Sequence, residues 1–337
     1  EFRRVLFRSL HSSTMVVAGV FLVARLYPVF FTGFDILGTG GNFITVIGGV
    51  TIVIAAALAF VQNDIKKVLA YSTVSQLGYM MLGLGSGAWL PAVFHIFTHA
   101  FFKAVLFLGA GSVIIALHHE QDMRKMGGLR KYLPITYAVV LIGAWANAGL
   151  PPFAGFFSKD TIIEALHAST TPGAGIAYLA ALLGVFVGGL YSFRLVFYAF
   201  HGKERFGHDD HGHGGHADAS GDSHHSTADH HSHAGIPHES PAVVTVPLMI
   251  LAVLATFGGF LSFPGEHNFL EHLLHGIVPE NLGHGAESLE YSLMALSVCV
   301  GAGCLYLSYI LYGRKYKEEK ETSFTSFLYN KIGRAHV

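Results

Sequence analysis

"GLPPFAG", residues 149–155, interrupts an apolar stretch that runs from 134 to 168. Two consecutive prolines remove two backbone donors and crowd the preceding turn, and the flanking glycines hold a helix weakly. The stretch is 35 residues long. A bilayer span needs about 20 residues, so it is too long for one straight crossing and too short for two with a turn. The reading is therefore one discontinuous span. Its first half covers about 134–149 and its second about 156–168. Residues 149–155 are expected to be non-helical at mid-membrane depth, with Lys159 facing the interior.

The rest of the chain supplies the membrane context. Apolar blocks occupy 12–31, 43–61, 72–90, 92–116, 134–150, 178–200, 243–262 and 291–312. Mean hydropathy is +0.48, 52% of residues are hydrophobic and only 13% are charged, against about 25% charged in soluble domains. The fold class is thus an all-α membrane protein, a polytopic bundle of about eight crossings with one discontinuous. Lys66 and Lys67, then Arg124, Lys125, Arg130 and Lys131, then Lys203 and Arg205, then the basic tail alternate with loops that carry no Lys or Arg. That alternation puts the basic loops in the cytoplasm, and it works only if 134–168 crosses once. Net charge is −1, so no basic field invites nucleic acid. Cys299 and Cys304 are too few for an iron–sulfur cluster and read as packing residues.

Few cations remain inside the apolar blocks. Arg25 and Arg194 lie toward helix ends, where they can snorkel. Lys103 and Lys159 cannot easily do so. Lys103 belongs to "FHIFTHAFFKAVLF" (94–107), where His95, His99 and Lys103 recur every fourth residue. That spacing aligns them on one helix face, about 6 Å of rise apart. An ionisable residue at the centre of a span costs about 2.5–3.5 kcal/mol and marks a functional candidate. The plain alternative is structural: an ammonium bonded to carbonyls or an ion pair holding helices together, or, for Lys159 beside Asp160, a cap on the half-helix.

Three function classes can use such residues. A proton path can, because imidazole titrates near neutrality and a desolvated lysine can approach it. A haem cytochrome needs axial ligands from opposite faces, which leaves only a pairing such as His11 with His95. A divalent-metal transporter is suggested by "HDDHGHGGHADASGDSHHSTADHHSH" (208–233), but metal paths pair His with carboxylates and 92–116 contains none. The His-rich tract has almost no apolar residue and reads as a disordered cytoplasmic loop.

Four stretches carry a resemblance: "NDIKKVLAYSTVSQLGYMMLGLG" (63–85), "FHIFTHAFFKAVLFLGAGSVI" (94–114), "HHEQDMRKMGGLRKYLP" (118–134) and "LPPFAGFFSKDTIIEAL" (150–166). They resemble the large antiporter-like subunits, subunit L or chain 5, of proton-pumping NADH:quinone oxidoreductase, respiratory complex I. The resemblance covers about residues 10–328, and "HHEQDMRKMGGL" favours these subunits over the related Mrp-type cation/proton antiporters. It implies a chain of protonatable residues along the membrane middle. His95, His99 and Lys103 match its central His/His/Lys, and Lys66 a lysine of the connecting path. Lys159 and Asp160 match the charged pair beside the broken helix near the periplasmic exit. His11 matches a histidine at the junction with a preceding half. No metal or cofactor site is implied in this chain; NADH, flavin, iron–sulfur clusters and quinone belong to partner subunits. The implied partners are other membrane-arm subunits, above all a sister antiporter-like subunit, and the lipid bilayer. The implied location is the bacterial inner membrane. Residues 1–9 and the end of the 313–337 tail read as non-native sequence. Residues 10–31 read as the last helix of a first repeat, 43–200 as a second antiporter-like repeat, 201–242 as the His-rich loop and 243–312 as C-terminal spans. The family's earlier half and its lateral helix are expected to be missing.

Overall fold

The computed structural model describes residues 15–36, 38–206, 236–262, 269–273 and 287–313. Its helices of seven or more residues are α1 (Ala18–Arg25), α2 (Tyr27–Gly33), α3 (Phe43–Val61), α4 (Ile65–Gly85), α5 (Trp89–Ala116), α6 (Pro134–Ala148), α7 (Ala154–Ala168), α8 (Ala174–Phe200), α9 (Ala242–Phe257) and α10 (Glu287–Ser308); a short helix Phe269–Leu273, a few 3-10 turns and a π-helical turn at Tyr309–Gly313 complete them. Among the described residues there is no strand, only isolated bridges between Asp35 and Asn42 and between Asp64 and Asp122. His11, the tract 208–233 and the tail beyond Gly313 lie outside the described residues.

Local chemistry sets the helix ends. Asn42 Oδ1 accepts the Ile44 N–H at 2.9 Å and opens α3. Asp64 Oδ1 accepts the N–H groups of Lys66 and Lys67 at 2.8 and 3.2 Å and opens α4. Each side chain satisfies donors that the first helical turn leaves unpaired. Gly48 and Gly85 then let α3 and α4 approach backbone to backbone. A Cβ on Gly48 would fall 2.5 Å from Leu82 N, and one on Gly85 2.5 Å from Thr45 N. Small residues at such crossings are how membrane helices gain packing without a hydrophobic drive.

The break at 149 forms as the prolines demand. Gly149 takes φ +78°, and the N–H groups of Gly149 and Leu150 return to the carbonyls of Ala146 and Trp145 at 3.1 and 3.2 Å, a glycine-closed helix end. The break is shorter than expected: 149–153 are non-helical and α7 resumes at Ala154, not at 156. Gly155 makes this early restart possible. A Cβ there would fall 1.8 Å from Ala146 O, so only glycine lets α7 start directly against the end of α6. Lys159 is 2% exposed and faces the interior, as expected.

A second break was not expected. The block 12–31 was read as one helix, but it bends by 78° between Met15–Arg25 and Tyr27–Gly33. Pro28, at the start of α2, has no N–H for the carbonyl of Ala24 four residues back. The indole Nε1–H of Trp89 donates to that carbonyl at 2.8 Å instead.

By length and apolar composition five described helices qualify as spans, or six if the bent pair is one span. The reading of eight crossings adds α4 and the broken pair α6–α7. Helix α4 is 21 residues long but is diluted by Lys66, Lys67 and a run of hydroxyl and amide side chains. Neither half of the broken pair is long enough alone.

Arg194 also departs from the sequence reading. It does not snorkel: it is 0% exposed. Its guanidinium donates to Gln62 O and, at 2.8 Å, to Asn63 Oδ1, and stacks over Tyr198 at 5.0 Å. Arg25 is exposed, as a snorkelling residue would be. The loop 117–133 is packed rather than loose. Met123, Met126, Leu129 and Leu133 are all buried in the apolar cluster formed with Val113, Leu195 and Phe200. Ile65 N–H donates to Gln121 O and Met123 N–H to Asn63 O, and Arg205 donates to the carbonyls of Met123, Arg124 and Tyr198. The basic-loop ends of α4, α5 and α8 are thereby tied together.

Candidate functional site

The four-residue spacing in α5 puts three titratable side chains on one inward face. His95, His99 and Lys103 are each 0% exposed, and the two imidazole centroids are 6.2 Å apart. Helices α4, α6 and α7 pack around this face.

His95 is held at both nitrogens. Its Nε2 lies 3.0 Å from Gln76 Oε1 and its Nδ1 2.9 Å from Ser158 Oγ. With the amide in this orientation Nε2 donates to Gln76, while the Ser158 hydroxyl can either donate to or accept from Nδ1. Thr98 Oγ1 is 2.8 Å from Ser158 Oγ, so a hydroxyl pair from two helices sets the ring. His99 differs. It makes an edge contact with Phe102 at 5.4 Å between centroids, yet neither of its ring nitrogens has a protein partner.

Lys103 Nζ donates to Ser72 Oγ. Ser72 Oγ lies 2.9 Å from Tyr191 Oη and 3.4 Å from Asn147 Oδ1, and Asn147 Nδ2 donates to Ser192 Oγ at 2.7 Å. The Asn147 main-chain carbonyl in turn accepts from Lys159 Nζ. Lys159 Nζ also sits 5.5 Å above the Tyr79 ring, a cation–π distance. Asp160, its sequence neighbour, accepts from Ser297 Oγ of α10 at 2.7 Å. A polar seam thus runs from Gln76 and His95 through His99 and Lys103 to Ser72, Asn147 and Lys159. Lys159 has the carbonyl-bonded geometry that a structural lysine would also have.

Lys66 sits apart from the seam. It lies in the first turn of α4, half-buried at the basic-loop end, about 9 Å of helical rise from Ser72. The sequence reading missed the uncharged members of the seam: Ser72, Gln76, Tyr191, Asn147 and Ser158. A signal existed for some of them. Ser72 and Gln76 repeat the four-residue spacing of His95 and His99 on a neighbouring apolar helix, and Asn147 stands four residues before Pro151.

Outside the apolar spans, the docked loop is electrostatically pinned. Burial pushes the Glu120 carboxyl up, but the main-chain N–H of Asp122, the Lys125 ammonium and the Gln121 N–H outweigh it and hold the group below the usual carboxylate range. Burial opposes Asp122 in the same way, and the Arg124 guanidinium and N–H, with Lys125, pull it lower. His201 is held below the ordinary imidazole value by burial and by Arg130. Among the described residues no group of three His, Cys, Asp or Glu is placed to hold a metal ion.

The sequence profile of the family described as "NADH:quinone oxidoreductase/Mrp antiporter, TM" matches residues 8–186, more than half of the chain. A protein named NADH-quinone oxidoreductase subunit L from Neisseria meningitidis serogroup A is 47% identical over 268 residues, which cover 79% of this chain and 37% of that protein. One of the same name from Pseudomonas aeruginosa is 42% identical over 304 residues, covering 90% and 42%. The chain therefore spans about two-fifths of the length of these relatives. Among solved structures, a chain of an archaeal respiratory membrane complex, the membrane-bound sulfane sulfur reductase, superposes with a TM-score of 0.63 at 27% identity, over 93% of this chain and 49% of that one. With its helical bundle and its matching transmembrane profile, the chain belongs to the NADH:quinone oxidoreductase/Mrp antiporter transmembrane family.

Proposed function

We propose that this chain is part of a membrane-arm subunit of a proton-translocating NADH:quinone oxidoreductase and conducts protons along the buried seam. The observation that carries the reading is the continuity of the seam. Three titratable groups on one face of α5 join, through Ser72 and Asn147, a second buried lysine at the broken helix. Lys103 is the central proton carrier, His95 and His99 are relays, and Lys159 with Asp160 forms the terminal gate. An imidazole with both nitrogens unpaired by protein, as at His99, is satisfied by water, and water between side chains about 6 Å apart completes a proton path. Lys66 is the connection toward the basic-loop end, and His11 lies at the junction with a preceding half.

On this reading residues 43–200 form the second antiporter-like repeat. NADH, flavin, iron–sulfur clusters and quinone act in partner subunits, and redox energy arrives as shifted charge at the seam. The nearest partner is a sister antiporter-like subunit, and the location is the bacterial inner membrane. The resemblance of the "HHEQDMRKMGGL" sequence favours this assignment over an Mrp-type antiporter.

The test is proton pumping per NADH oxidised in inverted vesicles carrying the assembled complex. Arginine keeps the charge but does not release a proton at accessible pH. Lys103→Arg is expected to impair pumping and leave assembly intact, and Lys103→Ala to impair it at least as much. Wild-type pumping by an assembled Lys103→Ala complex would return Lys103 to a structural role.

A further inference from the structure

Asn147 is bonded to both halves of the seam through different atoms. Its carbonyl is freed by covalent structure, because the residue four places on is Pro151, which has no N–H to close the helical bond. Lys159 Nζ takes that carbonyl. Its side-chain amide lies in the interior: Asn147 is 1% exposed, and Oδ1 accepts from Ser72 Oγ at 3.4 Å while Nδ2 donates to Ser192 Oγ at 2.7 Å. Ser72 is the hydroxyl that receives Lys103 Nζ. Ser192 Oγ is itself tied to Gly188 O at 2.7 Å, so the amide is braced against α8.

We propose that Asn147 is the positioning residue that couples Lys103 to Lys159, reaching Lys103 through Ser72 from its side chain and holding Lys159 through its main chain. The inference rests on the proton-path reading above and deepens it. An amide does not titrate, so Asn147 carries no proton. It sets the geometry between Lys159, which donates to its carbonyl, and Ser72, which receives Lys103 and donates to its side-chain oxygen. When Lys103 changes its bonding to Ser72, the bond from Ser72 to the Asn147 amide changes, and the carbonyl that holds Lys159 belongs to that same residue. The groups facing the two lysines are His95 and His99 on α5, Tyr79 on α4 and Tyr191 on α8. The carboxylate beside them is Asp160, next to Lys159 on α7, which accepts from Ser297 Oγ at 2.7 Å.

The experiment uses Asn147→Asp and Asn147→Ala in the assembled complex, with Lys103→Ala measured in parallel. Asn147→Asp keeps the shape and places a carboxylate between the two ammonium groups, which holds their protons more tightly. Pumping per NADH should fall roughly fivefold, the low end of an ordinary coupling free energy. Its pH profile should move to higher pH by about one unit. Asn147→Ala should lower pumping without that move, because it uncouples the lysines and adds no charge. Reduced pumping in both variants with an unmoved profile in Asn147→Asp would show a structural asparagine and overturn the proposal. So would normal pumping in both. If Asn147→Asp does not assemble, Asn147→Ala combined with Lys103→Ala decides: a double variant that pumps like Lys103→Ala alone supports the coupling, and a further independent loss, or normal pumping by Asn147→Ala, overturns it. Impaired Lys103→Ala beside normal Asn147 variants would sink only this inference, whereas normal Lys103→Ala would remove the proton-path reading itself.

Discussion

Two prolines break two helices in this protein, and the freed carbonyls meet different donors. Pro28 frees the Ala24 carbonyl, and the indole of the partly buried Trp89 takes it at 2.8 Å. Pro151 frees the Asn147 carbonyl, and the ammonium of Lys159 takes it. The covalent defect is the same, a missing N–H four residues on. The difference lies in what answers it. An indole is neutral, does not titrate and ties the bend of α1–α2 to the start of α5. An ammonium can lose its proton, and here it stands at the end of a buried polar seam. A proline break creates an acceptor; whether the acceptor is structural or functional depends on whether its donor can change charge.

The largest effect should come from removing the charged donor. Lys159→Met keeps length and packing but leaves the Asn147 carbonyl without its partner. Pumping per NADH in inverted vesicles should fall roughly tenfold or more, the equivalent of about 1.4 kcal/mol in a barrier. Near-normal pumping in the assembled variant would make the two breaks alike and leave Lys159 structural.

Restoring the missing N–H should separate the breaks next. Pro151→Ala supplies an amide that competes with Lys159 for Asn147 O, and pumping should drop roughly two- to fivefold. Pro28→Ala supplies the same amide in α2 and should leave pumping unchanged. Equal effects of the two substitutions would erase the distinction drawn here.

Removing the neutral donor should cost little. Trp89→Phe should lower stability by about 1 kcal/mol, one hydrogen bond's net worth, read as a lower Tm of the solubilised complex. The proton-to-NADH ratio should stay at the wild-type value.

The smallest effect should come from acid, at the docked loop far from both breaks. Glu120 and Asp122 are held below the ordinary carboxylate range. Their contribution is therefore complete above that range and is lost as pH falls through the lowered folded values. Asp122→Asn should flatten the acid limb of the stability curve, with at most a slight loss at neutral pH because the Arg124 pair is partly exposed. An unchanged acid limb would mean that the loop is held by its apolar contacts, its main-chain bonds and Arg205, with nothing from Asp122.

Much of the site was legible because its signals are local. Pro151, Pro152 and the neighbouring glycines announce a break wherever they occur in an apolar run. His95, His99 and Lys103 share a face by helical geometry alone. The same rule applied to Pro28 would have exposed the bend at Leu26. The block 12–31 has the length of a single span, and length masked the local signal.

Sequence by itself determined the all-helical membrane class, the broken span and the inward titratable face of α5, since each follows from composition or from contacts within a few residues. Tertiary structure decided the partners. Arg194 is buried because Gln62 and Asn63 lie 132 and 131 residues away in sequence yet within hydrogen-bond reach. Ser72 meets Lys103 and Tyr191 because three helices converge, and Asn147 links Ser72 to Lys159 because α7 starts directly against the end of α6 at Gly155. Buried polar groups must find partners, but which partner is within reach is set by helix packing, and no periodicity along one helix records it.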